Sequence, residues 1–369
     1  MGYIGNQITT VFPSSVTVDK INDVTYVPNP PSGQIGGRRN IILNPKMNVA
    51  QRSTSETGKG DANGFFTCDR WRIHVGSTAT AGRFTMSQAT DVHDGFANAL
   101  KLDCTTADTS IAAGEQLQLQ QRFEGQDLQQ LKKGTSDAEK LTVSFYVKGN
   151  ASATYVCELE DIDNSRNNTQ AFSVTTDWTR VILTFDGDTT GALDDDVNRS
   201  FNVNFWLHGG STYSGGTFAS NTWASTTNAN RYAGSRTSFF DSTDRTFFIT
   251  GVQMELGSVA TPFEHRSFGE ELQLCQRYYF QTDAKTFAGN SSGTDRIIMG
   301  QVLPNMRATP TFSTVSFNGT ANNLSKTTDN SDMAWSSFSV TGKNGVMQVL
   351  GSVTASTGYF GQLKCDAEL

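Results

Sequence analysis

Short segments in which apolar and polar residues alternate are the feature that most constrains the fold of this sequence. The alternation is clearest over residues 116–120, 141–147, 155–159 and 201–207, and Gly, Ser, Asn and Asp residues typical of turns separate the segments. A period of two residues is typical of a β-strand with one buried face. No regular succession of strand and helix accompanies it. The sequence therefore predicts an all-β fold whose main domain is an antiparallel sandwich of jelly-roll type.

Residues 247–257 are predicted to form the last strand of that sandwich. Their apolar residues alternate with Gln253 and Glu255, which are expected on the solvent-facing side, and Gly257 ends the pattern. Alternation resumes after residue 280, and the roughly 90 residues that remain are enough for a second, smaller β-sandwich. The predicted parts are an extended N-terminal anchor, a jelly-roll domain, a linking helix and a small C-terminal β-sandwich, over residues 1–40, 41–266, 267–280 and 281–369.

A short helix is predicted over residues 267–280. Ser267 and Glu270 match a capping box, in which the serine hydroxyl accepts from the third helical N–H and the carboxylate returns to the cap residue. Glu271 falls on the face that is predicted to be exposed. The apolar residues of the other face, which are candidates for packing between subunits, are Phe268, Leu272, Cys275 and Tyr279.

Residues 1–40 differ from the rest of the chain. Pro13, Pro28, Pro30 and Pro31 interrupt any regular element, and no apolar period is sustained. We predict an anchor that becomes ordered against another protein, with a disordered leader as the alternative.

Composition excludes several function classes. The net charge is −7 and no cluster of Lys and Arg is present, which argues against non-specific binding to nucleic acid. No apolar run of about 18 residues occurs, so we predict no membrane insertion. The five cysteines are widely spaced without any C-x-x-C pair. We interpret them as buried apolar side chains of a protein that folds in a reducing cytoplasm.

Several motifs occur in a fixed order along the chain. They include Asn44-Pro45-Lys46-Met47, Asp69-Arg70-Trp71, Gly251-Val252-Gln253-Met254-Glu255, Gln276-Arg277-Tyr278-Tyr279 and Met306-Arg307-Ala308-Thr309-Pro310. In this order the motifs resemble those of bacteriophage virion proteins, especially tail-fibre and related surface proteins of marine phages. The jelly-roll domain of such proteins is similar to carbohydrate-binding modules. The resemblance covers roughly residues 40–369.

The resemblance implies a virion protein that is assembled in the host cytoplasm and forms a homotrimer. Its implied role is attachment to the host surface, as part of a tail fibre or receptor-binding tip, with residues 1–40 contacting another virion protein. A capsid-bound fibre or decoration protein with an architectural role is the alternative.

The sequence identifies no catalytic residue. The four histidines are scattered, and no metal-protease or nucleotide-binding motif appears. A sugar-cleaving enzyme would need two carboxylates across a cleft, and the sequence singles out no such pair. A non-enzymatic protein is therefore predicted.

The loop of residues 208–236 has the composition of a sugar-binding surface. A sugar ring presents an apolar face and a polar rim, which suits exposed aromatic rings beside hydrogen-bonding side chains. The candidate contacts for a host-surface glycan are Tyr213, Trp223 and Tyr232, which lie among Gly, Ser, Thr and Asn residues. In the alternative interpretation, Trp223 and Arg231 hold the loop to its own sheet.

One acidic segment begins like a calcium-binding loop. The oxygen-bearing residues at the appropriate spacing are Asp186, Asp188, Thr190 and Asp194. The twelfth position is Val197, so the bidentate glutamate that closes such a loop is missing. The sequence favours a solvated acidic turn, with calcium as the alternative. No other cofactor is predicted.

Overall fold

A computed structural model of the chain describes Lys20–Ile21, Val24–Thr25 and residues 38–369, except 77, 79, 284–286, 292, 294–295, 300–302, 336, 341–346, 351–352 and 355. Strands β1 (Lys20–Ile21) and β2 (Val24–Thr25) pair antiparallel within a unit that spans Met1–Gly37. The rest of the anchor predicted over residues 1–40 lies almost entirely outside the described residues. Arg38–Leu369 form the second compact unit.

The first part of the second unit contains thirteen strands and one short helix. In chain order these are β3 (Ser55–Lys59), β4 (Gly64–Phe65), β5 (Arg72–His74), β6 (Arg83–Ala89), β7 (Ala99–Thr106), β8 (Gln116–Glu124), β9 (Leu141–Gly149), β10 (Ala153–Asp161), β11 (Arg166–Val174), β12 (Thr179–Phe185), β13 (Arg199–Gly209), α1 (Ser211–Ser214), β14 (Ala224–Ser225) and β15 (Thr246–Leu256). Short 3-10 turns lie at Gly125–Asp127, Gln129–Leu131 and Asn228–Asn230.

These strands form two antiparallel sheets that enclose one core. The seven-stranded sheet has the order β14-β11-β10-β13-β8-β5-β4, and the six-stranded sheet has the order β12-β9-β15-β7-β6-β3. Aromatic rings join them: Phe145 of β9 packs edge-on against Phe205 of β13, with ring centroids 5.0 Å apart. Trp71 is fully buried beside Phe205. The all-β, jelly-roll prediction is confirmed.

Strand β15 is buried on both faces, and the predicted exposure of Gln253 and Glu255 is wrong. The chain that follows the strand folds back over this face and satisfies both side chains. The main-chain N–H of Thr261 donates to Glu255 Oε1 at 2.9 Å, and that of Glu264 donates to Gln253 Oε1 at 2.8 Å. Gln253 Nε2 donates to Glu255 at 2.8 Å. The strand ends at Leu256, directly before Gly257, as predicted.

Helix α2 spans Phe268–Gln276 and is shorter than predicted. Ser267 Oγ accepts from the N–H of Glu270 at 3.2 Å, as a cap should, but the Glu270 carboxylate pairs with Arg38 instead of returning to the cap. The predicted exposure of Glu271 is wrong. Its buried carboxylate accepts from the N–H of Asn44 at 2.6 Å and pairs with Arg266.

The four residues proposed for subunit packing do not form one outward face. Phe268 is 55% exposed, Leu272 is partly buried and Cys275 is fully buried. Tyr279 lies beyond the helix, in a strand, and is also buried. Phe268 is therefore the one member of this set that stands out from the surface.

The C-terminal part is a second β-structure. Its strands are β16 (Tyr279–Gln281), β17 (Phe287–Ser291), β18 (Arg296–Met299), β19 (Thr311–Val315), β20 (Asn323–Lys326), β21 (Asp332–Ala334), β22 (Ser337–Val340), β23 (Met347–Leu350) and β24 (Gly358–Asp366). Strand β24 organises this part, because its first half pairs with β17 and β20 and its second half pairs with β16 and β19. Its core is a separate cluster that includes Ile297, Leu324, Tyr359 and Leu363.

Two smaller predictions also have outcomes. All five cysteines are buried and none forms a disulfide, as predicted. Among the described residues, no helix is long and apolar enough to cross a membrane.

Candidate functional site

Four adjacent strands of the seven-stranded sheet, in the order β10-β13-β8-β5, align polar side chains on one face. The register places Gln120 of β8 opposite Arg72 of β5 and opposite Asn204 of β13. Two residues further along β8, Arg122 lies opposite Asn202 of β13. Because residues two apart in a strand share a face, these rows form one continuous polar surface on the side away from the core.

This polar surface is the floor of a groove of about 270 Å³. The volume is slightly below the range for small-molecule sites, which begins at about 300 Å³. The loop after β13 contributes part of the wall. The lining residues are His74, Gln116, Gln118, Gln120, Arg122, Glu160, Arg199, Tyr213, Asn228 and Arg231.

The glutamines of the floor form a chain of hydrogen bonds. Gln120 Nε2 donates to Gln118 Oε1 at 2.9 Å, and Gln118 Nε2 donates to Gln116 Oε1 at 2.8 Å. Gln120 Nε2 also donates to Asn204 Oδ1 at 3.0 Å. All four residues are buried. The amide groups are therefore held in fixed orientations, since each one has its rotation set by its neighbour.

Arg231 fastens the loop of residues 208–236 to the floor. Its Nε and Nη2 donate to the carboxylate of Glu158 at 2.8 and 2.6 Å, and Nη2 also donates to Glu160 at 2.7 Å. Glu158 is fully buried and accepts from Trp206 Nε1 at 2.8 Å as well. Burial alone would lower the pKa of Arg231, but the two carboxylates raise it. The ion pairs of Arg231 with Glu158 and Glu160 therefore support the wall of the groove.

Further arginines lie beside Gln120 and Asn202 of the groove floor. Arg199 and Arg122 line it, and Arg72 lies beside it with Nη1 donating to Gln120 Oε1 at 3.0 Å. Arg199 Nε donates to Asn202 Oδ1 at 2.9 Å. Burial lowers the pKa of Arg199, the Glu160 carboxylate opposes that effect, and the net result is a lowered value.

His74 closes one end of the groove as a neutral side chain. Its Nδ1 lies 3.0 Å from Asn63 Oδ1, and its Nε2 lies 3.4 Å from Gln116 Nε2. Burial lowers the pKa of His74 to about 4, and the charges of Arg72 and Arg122 add to the effect. At neutral pH the imidazole is therefore uncharged and offers hydrogen bonds without charge.

Of the three aromatic candidates from the loop, the structure places Tyr213 in the groove wall. Its ring packs against Trp206 with centroids 5.2 Å apart and remains partly exposed. Tyr213 is thus an aromatic ring next to the row of amides. This is the arrangement for which the loop was singled out.

Tyr232 and Trp223 do not line the groove. Tyr232 is buried, its ring stacks on Trp206, and its hydroxyl donates to the carbonyl of Thr237 at 2.7 Å. It offers no exposed ring face, which corrects its assignment as a glycan contact. Trp223 Nε1 donates to the carbonyl of Asp186 at 2.6 Å, so this indole holds the loop to the segment that directly follows β12.

The acidic segment considered for calcium binds side-chain cations instead. Asp188 accepts from Arg166 Nε at 2.8 Å and pairs with Lys133 at 3.0 Å, and Asp186 pairs with Lys140 at 2.7 Å. The other two candidates contribute backbone contacts: the N–H of Thr190 donates to Asp188 and that of Asp194 donates to Asp163. Within the described part of the chain, no group of three or more His, Cys, Asp or Glu side chains is arranged to hold a metal ion. Of the four candidates, Asp186 and Asp188 use their carboxylates in ion pairs.

The sequence singled out Tyr213, and it named Arg231 as a residue that holds the loop to its own sheet, but the amides and the other arginines were missed. A signal for the amides was present in the sequence of β8, where Gln116, Gln118 and Gln120 alternate with leucines. The partners on β5, β10 and β13 could be added only once the strand order was known.

No family model matches the chain, and no curated protein matches it in sequence. A solved structure described as "CBM4 structure and function" is 16% identical, with a TM-score of 0.29, over 51% of this chain and 87% of that one. A family 11 carbohydrate-binding module from Clostridium thermocellum, in complex with a β-1,3-1,4-mixed-linked tetrasaccharide, is 12% identical, with a TM-score of 0.28, over 57% and 99%.

A bacteriophage structure is also among the similar ones. The enzymatically active domain of bacteriophage CBA120 tailspike protein 4 is 12% identical, with a TM-score of 0.26. The match covers 51% of this chain and 19% of that one. At these levels of identity the similarities concern the fold alone.

Proposed function

We propose that this chain binds a glycan in the groove on the seven-stranded sheet. The observation that carries the proposal is the row of hydrogen-bonded amides, Gln116, Gln118 and Gln120, beside the ring of Tyr213. Sugar hydroxyls both donate and accept, and a primary amide offers both functions. Because the amides are already ordered by one another, binding a sugar costs little further side-chain entropy.

The proposed binding is non-enzymatic. Glu160 is the one carboxylate among the lining residues of the groove, whereas glycoside hydrolysis generally uses two. Burial would raise the pKa of Glu160, but Arg231 and the amides of Asn204 and Asn202 outweigh it, and the pKa is lowered. A carboxylate held in its ionised form is poorly suited to act as a general acid at neutral pH.

We further propose that glycan binding attaches a bacteriophage virion to its host, as part of a tail fibre or receptor-binding tip. The order of the sequence motifs and the sugar-sized groove support this role. In the proposal the chain is a homotrimer and residues 1–40 contact another virion protein. Cryo-electron microscopy of the virion tests the location: density on the tail fits the proposal, and density on the capsid lattice fits the decoration protein instead.

The binding proposal is tested on an array of neutral and acidic oligosaccharides, bacterial lipopolysaccharides and capsular polysaccharides. We expect selective binding, and the Tyr213→Ala substitution is expected to weaken the strongest interaction by about tenfold through loss of the stacking face. The matched control is Trp178→Ala, since the Trp178 ring lies directly before β12 and packs on Phe248 outside the groove. Absence of binding to every glycan, or equal effects of the two substitutions, would refute the proposal.

A further inference from the structure

The groove carries positive charge although the chain as a whole is acidic. The formal net charge of the chain is −7. The groove, with its floor and edge, holds four arginines and two glutamates: Arg72, Arg122, Arg199, Arg231, Glu158 and Glu160. A concave surface of one sign concentrates ligands of the opposite sign. The charge distribution therefore favours an anionic ligand at this one place.

Both glutamates are already engaged by one arginine. Arg231 lies 2.6 Å from Glu158 and 2.7 Å from Glu160. Arg199 shares Glu160 at the longer distance of 3.8 Å. One guanidinium cannot neutralise two carboxylates, so part of the Glu160 charge also acts on Arg199, and the four arginines and two glutamates together leave the groove with a formal charge of +2.

Arg72 and Arg122 form no ion pair with any Asp or Glu side chain in the described part of the chain. Arg72 Nη1 donates to the amide oxygen of Gln120 at 3.0 Å, and Arg122 Nη1 donates to the main-chain oxygen of Leu369 at 2.5 Å. Arg122 Nε is buried and has no hydrogen-bond partner among these residues. Neither guanidinium charge is therefore paired with an Asp or Glu side chain of the described residues, and Arg122 Nε keeps a donor without a protein partner.

The arginines also repel one another. Burial lowers the pKa of Arg72 to about 10, and the charge of Arg199 adds to the effect. Burial lowers the pKa of Arg122 to about 9, with further contributions from Arg199 and Arg72. Like charges held together in a partly buried site disfavour each other's ionised form, and a bound anion removes this cost.

We propose that the groove selects an acidic glycan, whose carboxylate or sulfate groups pair with the guanidinium groups around it. This inference rests on the proposed glycan-binding function and specifies the ligand class. The planar fork of N–H donors in a guanidinium group matches two oxygens of a carboxylate or sulfate. The amides of the floor and Tyr213 bind the sugar rings, and the arginines bind the anionic groups.

The experiment compares matched acidic and neutral ligands. Oligogalacturonate is titrated against its methyl ester, and sulfated carrageenan oligosaccharide against its desulfated form, by isothermal titration calorimetry. The array glycans that bind the chain are measured alongside. We expect at least one acidic ligand to bind about tenfold or more tightly than its neutral form, as one charge-assisted hydrogen bond allows. A difference in affinity between oligogalacturonate and its methyl ester indicates a carboxylate ligand, and a difference between the sulfated and desulfated oligosaccharides indicates a sulfate ligand.

Arginine variants locate the effect in the groove. Arg199→Gln and Arg72→Gln are each expected to weaken the affinity for the acidic glycan by about tenfold and to reduce the dependence of that affinity on salt concentration. Because lysine keeps the positive charge but not the planar fork of donors, Arg199→Lys is expected to retain part of the affinity and part of its salt dependence. Arg38→Gln, an exposed arginine paired with Glu270 outside the groove, is the matched control and leaves affinity unchanged. A change in salt dependence is not expected from a purely structural role.

The outcomes separate this inference from the function on which it rests. Binding of neutral array glycans with equal or weaker binding of every acidic form overturns the acidic selectivity and leaves glycan binding intact. No binding to any glycan overturns both. An acidic preference that survives in Arg199→Gln and Arg72→Gln overturns the assignment to this groove.

Discussion

At the scale of single residues, Glu158 shows how specific partners stabilise a buried charge. Its carboxylate is fully buried and accepts hydrogen bonds from Arg231, Trp206, Asn204 and Asn167. Removing one ion of a buried pair leaves the other without compensation, which costs far more than the net contribution of the pair.

We expect Arg231→Gln to lower the free energy of unfolding by about 3–5 kcal/mol, because Glu158 would remain buried without its cation. Chemical denaturation followed by tryptophan fluorescence measures the change. Arg236→Gln, in the same loop, is the control and is expected to cost less than about 1 kcal/mol, since Arg236 forms no ion pair with a described residue. Equal effects of the two substitutions would contradict the assigned role of Arg231.

At the scale of elements, β15 shows how much the sequence could predict. Alternation correctly identified the strand and its end, but it did not show that both faces are covered. A period of two says which residues share a face and nothing about what packs on that face. Gln253 and Glu255 are buried by the chain that follows them, and this contact depends on how that chain folds back.

The candidate site was also only partly predictable from the sequence. Tyr213 was found because aromatic residues in a Gly- and Asn-rich loop are a local signal. The groove itself joins Arg72, Gln120, Glu160 and Arg199, which are far apart in sequence. They meet because the strands are ordered β10-β13-β8-β5. That order is a property of the topology, which local patterns do not specify.

Strand β15 also contains a bulge that only glycine fits. Gly251 has a φ of +59°, at the register shift between Thr250 and Gln253, and an added Cβ would lie 2.5 Å from Phe96 and 2.9 Å from Tyr146. We expect Gly251→Ala to lower the melting temperature and to reduce the free energy of unfolding by about 1–3 kcal/mol. The added methyl group would be strained at this positive φ and would also overpack against Phe96 and Tyr146.

Gly269→Ala is the matched control for Gly251→Ala. Gly269 lies in α2, and an added Cβ there would meet nothing within 4 Å. Since alanine is favoured over glycine in a helix by about 1 kcal/mol, we expect unchanged or higher stability. Thermal unfolding by circular dichroism measures both variants, and a Gly251→Ala protein as stable as the parent would show that the bulge adapts.

At the scale of the whole molecule, the end of the chain joins the C-terminal β-structure to the jelly roll. Glu368, two residues after β24, pairs with Arg70, whose side chain is almost completely buried. Arg70 Nη2 in turn donates to the main-chain oxygen of Arg122 at 2.6 Å, at the edge of the groove. Arg277 and Tyr278 add contacts to Glu124 of β8. These contacts explain why Arg38–Leu369 form one compact unit.

We therefore expect Glu368→Gln to destabilise the whole unit, by about 3–5 kcal/mol, because it leaves Arg70 buried without its carboxylate. Asp366→Asn is the control: Asp366 pairs with Arg52 at 3.2 Å, but its side chain is 48% exposed, so a loss below about 1 kcal/mol is expected. Differential scanning calorimetry of the two variants gives the comparison. A parent-like Glu368→Gln protein would show that the contact between the two parts is dispensable.

The glutamine chain of the groove floor gives the site a direction. Each Nε2 donor points the same way, from Gln120 through Gln118 to Gln116, starting beside the guanidinium of Arg72 and ending at the neutral imidazole of His74. The two ends of the groove are therefore chemically different, one cationic and the other uncharged. An oligosaccharide with an acidic unit at one terminus can satisfy both ends in only one of its two orientations. The groove would thus distinguish the reducing end of such a ligand from its non-reducing end.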